Sequence, residues 1–165
     1  MPAVQEAEAS AQTDQFITFK VGAEEYGVDI MEVREIKGWT QATRLPNAPT
    51  YVRGVINLRG TMVPIFDLRA RFGGGETEVT KTHVVVIVRV KERVIGILVD
   101  AVSDILSIDR STVQPVPEMD GAEDAKFLCG LVSIEDRMVA LLTLDRMFSL
   151  DRVDQKSLSA AELQN

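Results

Sequence analysis

Residues 54–72 read GVINLRGTMVPIFDLRARF, and the fold of the whole chain follows from how this stretch is taken. Two apolar runs, Val55 to Leu58 and Met62 to Leu68, flank Arg59, Gly60 and Thr61. Each run has the length of a β-strand, and Gly60 supplies the positive φ that a tight turn between them needs. The stretch is therefore a β-hairpin. Pro64 has no N–H to give to a ladder, which predicts a second strand at a sheet edge or a bulge at that point. Asp67 to Phe72 predict a helical turn, stopped by Gly73, Gly74 and Gly75. Arg53, Arg59, Arg69 and Arg71 share residues 51–72 with a single acid, Asp67, in a chain of formal charge −7. The hairpin is a local island of positive charge.

Outward from this hairpin the pattern stays β. Residues 16–21 and 26–30 alternate apolar and polar about a turn at Gly22, a second hairpin signal. Pro46 and Pro49 make residues 38–49 a loop. Residues 83–90 are almost wholly apolar and β-branched, the signature of a strand buried on both faces. Residues 94–99 and 101–108 extend the pattern, and QPVPEMDGAED at 114–124 is a loop. Residues 131–134 and 138–144 form a last hairpin, followed by helical spacing over 144–150.

The chain also repeats itself. Residues 54–72 lie over 130–148 without a gap, matching Gly54 with Gly130, Met62 with Met138, Val63 with Val139, Leu68 with Leu144 and Phe72 with Phe148. Residues 16–36 lie over 85–105, matching Gly27 with Gly96, Val33 with Val102 and Ile36 with Ile105, while Glu35 meets Asp104. Turns fall on turns, so one unit is used twice. With no crossover helix in either half, the expected class is all-β: two small antiparallel barrels sharing an apolar seam. The first barrel is expected at about 15–75 and the second at about 80–148, with exchange of strands between them open. Residues 1–14 are expected to form a flexible tail. Residues 151–165, with helical spacing at Leu158 and Leu163, are expected to form a helix or tail.

At 165 residues, 45% hydrophobic and 26% charged, the composition is that of an ordinary globular protein. No apolar run reaches the ~18 residues that a membrane span needs, and the first fifteen residues lack the basic and apolar regions of a secretory signal. A cytoplasmic protein is expected. One cysteine, Cys129, excludes an internal disulfide and reads as a small core residue at a strand start. The acidic balance disfavours nucleic acid and anionic lipid, leaving a protein or small-molecule partner.

Catalytic chemistry finds little to work with. His83 is the one histidine and opens a buried strand, where a satisfied side chain is expected rather than a general base. There is no G-x-S-x-G elbow, phosphate loop, dinucleotide fingerprint or calcium loop. One histidine and one cysteine do not make a zinc site. No catalytic residue, metal or cofactor is expected. Arg59 on its glycine turn is either a solvated turn residue or an interface anchor acting through bidentate pairing and stacking.

The runs EEYGVDIMEVREI (24–36), TRLPNAPTYVRGVINLRGTMVPIFDLRARF (43–72) and RVIGILVDAVSDIL (93–106) resemble the CheW family of bacterial chemotaxis coupling proteins. The resemblance covers residues 15–150 and implies two SH3-like five-stranded barrels. It also implies a non-enzymatic adaptor that joins the cytoplasmic tip of methyl-accepting chemoreceptors to the regulatory domain of the histidine kinase CheA, recruited to membrane-associated arrays without inserting into the membrane. By motif, the receptor-binding groove between the barrels would hold Val33, Glu35, Gly54, Arg59, Gly60, Val102 and Ile105. Glu35, two residues past Val33, is expected to share its side of a strand and to orient Arg59. The end of the first barrel, and a loop bounded by Gln114 and Met119, would meet the kinase. A coupling protein of a pilus-motility or other chemosensory kinase pathway is the alternative.

Overall fold

In the computed structural model, residues 13–117 and 127–149 are described, with side chains up to Met147 in the last helix. Met119, most of the expected N-terminal tail and residues 151–165 lie outside them. Ten strands follow one another, eight of them in four hairpins (β1/β2, β4/β5, β6/β7 and β9/β10), while β3 and β8 pair with strands distant in sequence. β1 (Thr13–Val21) and β2 (Glu24–Asp29) turn at Gly22. A 3₁₀ turn, Ile30–Glu32, leads into β3 (Val33–Gly38). The central hairpin is β4 (Val52–Leu58) and β5 (Thr61–Asp67), with the short helix Leu68–Arg71 behind it. Then come β6 (Val84–Val90), β7 (Arg93–Val99), β8 (Ala101–Asp109), β9 (Leu128–Ile134), β10 (Arg137–Leu142) and the helix Leu144–Ser149. β1 begins at Thr13, two residues inside the expected tail.

Two five-stranded sheets form, in the orders β8-β1-β2-β10-β9 and β3-β6-β7-β5-β4. Neither is one half of the chain, so a division near residue 75 does not separate the barrels. Each takes two strands from one copy of the repeat and three from the other. If β1 to β5 are laid on β6 to β10, the first order becomes the second strand for strand. The register agrees as well: Leu141 opposes Gly27 as Ile65 opposes Gly96, and Val102 opposes Phe19 as Val33 opposes Val88. Alternation within a strand specifies that a face is buried, not which sheet buries it. The exchange is therefore visible only in three dimensions.

Each sheet closes on itself through one bridge of two hydrogen bonds. Thr43 and Val55 exchange both backbone hydrogen bonds at 2.9 Å, and Gln114 and Leu131 do the same at 2.8 Å. The first bridge also explains Pro64. β5 lies inside its sheet, between β7 and β4, not at an edge. Val55, opposite Pro64, gives both its backbone groups to Thr43, and pairing with β7 starts only at Ile65. No strand asks Pro64 for an N–H.

Apolar residues fill three spaces. The seam between the sheets takes Phe19 and Val28 from one and Val86, Val88 and Ile97 from the other, with Phe127, Leu144 and Met147 added. One barrel interior holds Val63, Ile65, Val85 and Ile87, the other Phe16, Val132, Val139 and Leu141. Strands are thus covered on both faces, which is why β6 is a continuous apolar run. Full burial of a side chain such as Phe19 contributes about 1.5 to 3 kcal/mol. The Arg71 guanidinium lies over the rings of Tyr51 (4.8 Å) and Phe127 (4.5 Å), tying the hairpin to this seam. Cys129 is exposed on edge strand β9 rather than in the core. Among the described residues, no helix is long and apolar enough to cross a membrane.

Two crossings carry the chain between sheets, at residues 30–32 and at Asp100. Asp100 accepts from Gly22 N–H (2.7 Å) and from Arg69 Nη2 (2.7 and 3.0 Å), and lies 3.2 Å from His83 Nε2. Its own N–H goes to the Lys20 carbonyl. The repeat places Met31 at the equivalent of Asp100, and Met31 is 86% exposed. One crossing is locked by charge, and the other presents an apolar side chain to solvent.

Candidate functional site

Leu58 pairs with Thr61, leaving Arg59 (φ 51°) and Gly60 (φ 88°) as a two-residue turn with both centres left-handed. This geometry follows the right-handed twist of the flanking strands. Asn57 Oδ1 accepts from Gly60 N–H at 2.8 Å and fixes it. Glycine or asparagine occupies the first position at least cost, so an arginine held there carries strain on the order of 1 kcal/mol. Its side chain, 74% exposed, is well placed to meet another molecule.

Glu35 reaches it from β3. Arg59 Nη2 donates to Glu35 Oε2 at 3.1 Å. Because β3 and β4 are the two edges of one sheet, this contact spans the mouth of a barrel. Between them opens a cavity of about 410 Å³, with Val63, Ile87 and Val94 as an apolar floor and Arg34, Glu35 and Arg59 at the rim.

Val33 is not part of that mouth. The ladder to β6 slips at Arg34, so Val33 opposes Val88 and Glu35 opposes the adjacent Ile87. Adjacent residues of a strand face opposite ways, and the bulge therefore puts Val33 and Glu35 on opposite faces, against the expectation that they share one. Val33 packs on the seam cluster, as does Val102 through Phe19. Ile105, 60% exposed, opposes Ile17 on the same seam face of β8. Its repeat mate Ile36, 43% exposed, opposes Val86 on the seam face of β3. Ile36 was absent from the motif-based set; its alignment with Ile105 was the signal that would have found it.

Gly54 has a different part. At φ 139° it lies so close to the closing bridge that a Cβ would stand 2.2 Å from the Thr43 carbonyl oxygen. The geometry makes it necessary for closure of the barrel that carries Arg59. Gln114 is exposed and belongs to the other closure. At the repeat-equivalent mouth the turn is acidic instead of basic, with Glu135 (φ 46°) and Asp136 (φ 67°) occupying it. Arg137 there approaches Asp104 (3.7 Å) and buried Glu25 (3.4 Å). The two mouths share a backbone and differ in chemistry.

His83 is buried and satisfied. Its Nδ1 accepts from Thr80 N–H at 2.9 Å, so Nε2 carries the proton facing Asp100. Asp67 is fully buried, accepting from Thr77 N–H (2.7 Å), Thr77 Oγ1 (2.6 Å) and, as a helix cap, Ala70 N–H. Burial alone would push the Asp100 carboxyl up, but the Gly22 N–H, Arg69 and His83 together hold it below the usual carboxylate range. Among the described residues, no group of three or more His, Cys, Asp or Glu is arranged to hold a metal.

Fold and rim define a two-barrel β protein with a charged rim above an apolar-floored cavity. Residues 15–152 match the model of the CheW-like domain family. The chain is 49% identical over 134 residues to the chemotaxis protein CheW of Rhizobium meliloti, covering 81% of this chain and 86% of that protein. It is 39% identical to the chemotaxis protein CheW of Klebsiella aerogenes, with 84% of each covered. The crystal structure of the scaffolding protein TtCheW from Thermoanaerobacter tengcongensis superimposes with a TM-score of 0.73 at 31% identity, covering 79% of this chain and 84% of that one. The chain belongs to the CheW-like family.

Proposed function

We propose that this protein is a non-enzymatic adaptor of chemotaxis, coupling the cytoplasmic tips of methyl-accepting chemoreceptors to the histidine kinase CheA within a receptor array. The observation that carries the reading is Arg59, exposed on a strained turn above an apolar floor and steered by Glu35, in a chain of the CheW-like family. A receptor tip offers an amphipathic helical surface. Val33, Val102, Ile36 and Ile105 present apolar atoms along the seam, and Arg59 offers donors for a carboxylate or helix C-terminal carbonyls at about 1.5 to 3 kcal/mol. Gly54 and Gly60 serve the site by shaping the hairpin. Gln114 and Met119 are the proposed kinase contacts.

The test is kinase autophosphorylation with receptor-bearing membranes at one fixed salt concentration, with and without the protein. Activation that is abolished by Arg59→Ala supports the reading. No effect with a cognate receptor and CheA redirects it to a pilus-motility or other chemosensory kinase pathway.

A further inference from the structure

A second cavity, of about 660 Å³, lies at the other end of the same barrel edges, lined by Trp39, Gln41, Ala42, Thr43, Arg44 and Arg53. Arg53 sits where the β4/β5 register shifts between Val52 and Gly54, and such a bulge re-aims its side chain. Its guanidinium lies over the Trp39 ring at 5.9 Å, and its side chain is 14% exposed. A guanidinium has five N–H donors. The carboxylates near this one, Asp67 and Glu76, stand at 3.9 Å, beyond hydrogen-bond length. Arg44, from the facing segment, lies 3.7 Å from the same Glu76 oxygen. One carboxylate oxygen is therefore shared loosely by two arginines that aim at one space.

We propose that this cavity binds a carboxylate presented by an acidic peptide segment, with Glu76 as its internal stand-in. An incoming carboxylate displaces Glu76 and takes hydrogen bonds from Arg44 and Arg53, while the flat indole of Trp39 covers the neighbouring methylene groups. Charge argues for a monoanion. Arg44 and Arg53 are balanced by Asp67 and Glu76, so exchanging Glu76 for one carboxylate keeps the site neutral. A dianionic phosphate would be left facing buried Asp67 with an excess negative charge. The volume exceeds what a lone carboxylate fills and suits a side chain with its backbone.

Trp39 is the one tryptophan of the chain, which makes its emission a direct readout. The full-length protein is titrated with the peptide acetyl-Gly-Glu-Glu-Gly-amide, its Gln-Gln counterpart, succinate and inorganic phosphate. A saturable change with the Glu peptide and none with the Gln peptide is expected. Glu76→Gln should tighten binding about threefold by removing the competitor, and Arg44→Gln should weaken it about tenfold. Both positions are exposed, so folding is unaffected. The proposal is overturned if wild type and Glu76→Gln both show no saturable change, if Arg44→Gln binds as wild type does, or if phosphate binds more tightly than succinate. Succinate binding as tightly as the peptide would overturn the peptide as source in favour of a free acid.

Discussion

Arg59 and Glu35 meet at 3.1 Å across the two opposite edges of one sheet, so the hydrogen bond that steers the exposed arginine also spans the barrel mouth. Exposed ion pairs contribute roughly 0 to 1 kcal/mol. Arg59→Ala is therefore expected to change stability by no more than about 1 kcal/mol while removing receptor pull-down. Thermal unfolding and pull-down on the same preparation check this; a large fall in Tm would make Arg59 a structural residue instead.

Gly54 and Gly130 occupy equivalent places and should differ in tolerance. A Cβ at Gly54 strikes the Thr43 carbonyl at 2.2 Å, and backbone in a closing bridge does not yield. At Gly130 the obstacle is Val113 Cγ1 at 2.3 Å, a methyl that can shift. Gly54→Ala is expected to cost roughly 3 kcal/mol or more, Gly130→Ala about 1 to 2 kcal/mol. Urea midpoints of the two variants measure the difference.

Asp100 sets an acid limit. Its folded pKa lies below its unfolded value of about 3.9, so its stabilisation is present above that pH and is lost as pH falls through the folded value. Asp100→Asn should cost about 2 kcal/mol at pH 7, and that cost should shrink steadily below about pH 4. Urea unfolding of both proteins between pH 2.5 and 7 tests the sign; a penalty that grows on acidification would be incompatible with it.

Ile36 and Ile105 extend the seam face on strands of the two different barrels. In the proposed mode of coupling, a receptor helix lying along the seam would touch both. Ile36→Glu and Ile105→Glu should each leave stability within about 0.5 kcal/mol and each weaken receptor binding, because a carboxylate placed against an apolar ridge loses its water. Co-sedimentation with receptor membranes decides; if Ile36→Glu binds normally, the docking face stops at β8.

Much of this was legible beforehand, for identifiable reasons. The Arg59-Gly60 turn follows from local backbone preference, and the repeat, read by identity alone, matched Val33 with Val102, which occupy equivalent places in the two ladders. The sidedness of Glu35 was not legible, because one bulged residue, Arg34, inverts everything after it and leaves no compositional mark. Asp67 and Asp100 look like any surface acids in the sequence. Their roles depend on Thr77, Gly22 and Arg69, brought to them by the fold. Gly54 was singled out by motif, while the structural reason for it, the close approach of Thr43, is a contact between strands.

The exchange of strands makes the two copies of the repeat depend on each other. A polypeptide carrying only β1 to β5 owns two strands of one sheet and three of the other, and completes neither. Two copies of such a polypeptide complete both, so the present chain has the plan of a fused homodimer whose subunits traded strands. Because both copies lie in one chain, the two mouths need not be identical. One copy carries Arg59 and Gly60 at its turn and the other Glu135 and Asp136, so a single chain has two unlike faces on a symmetric frame.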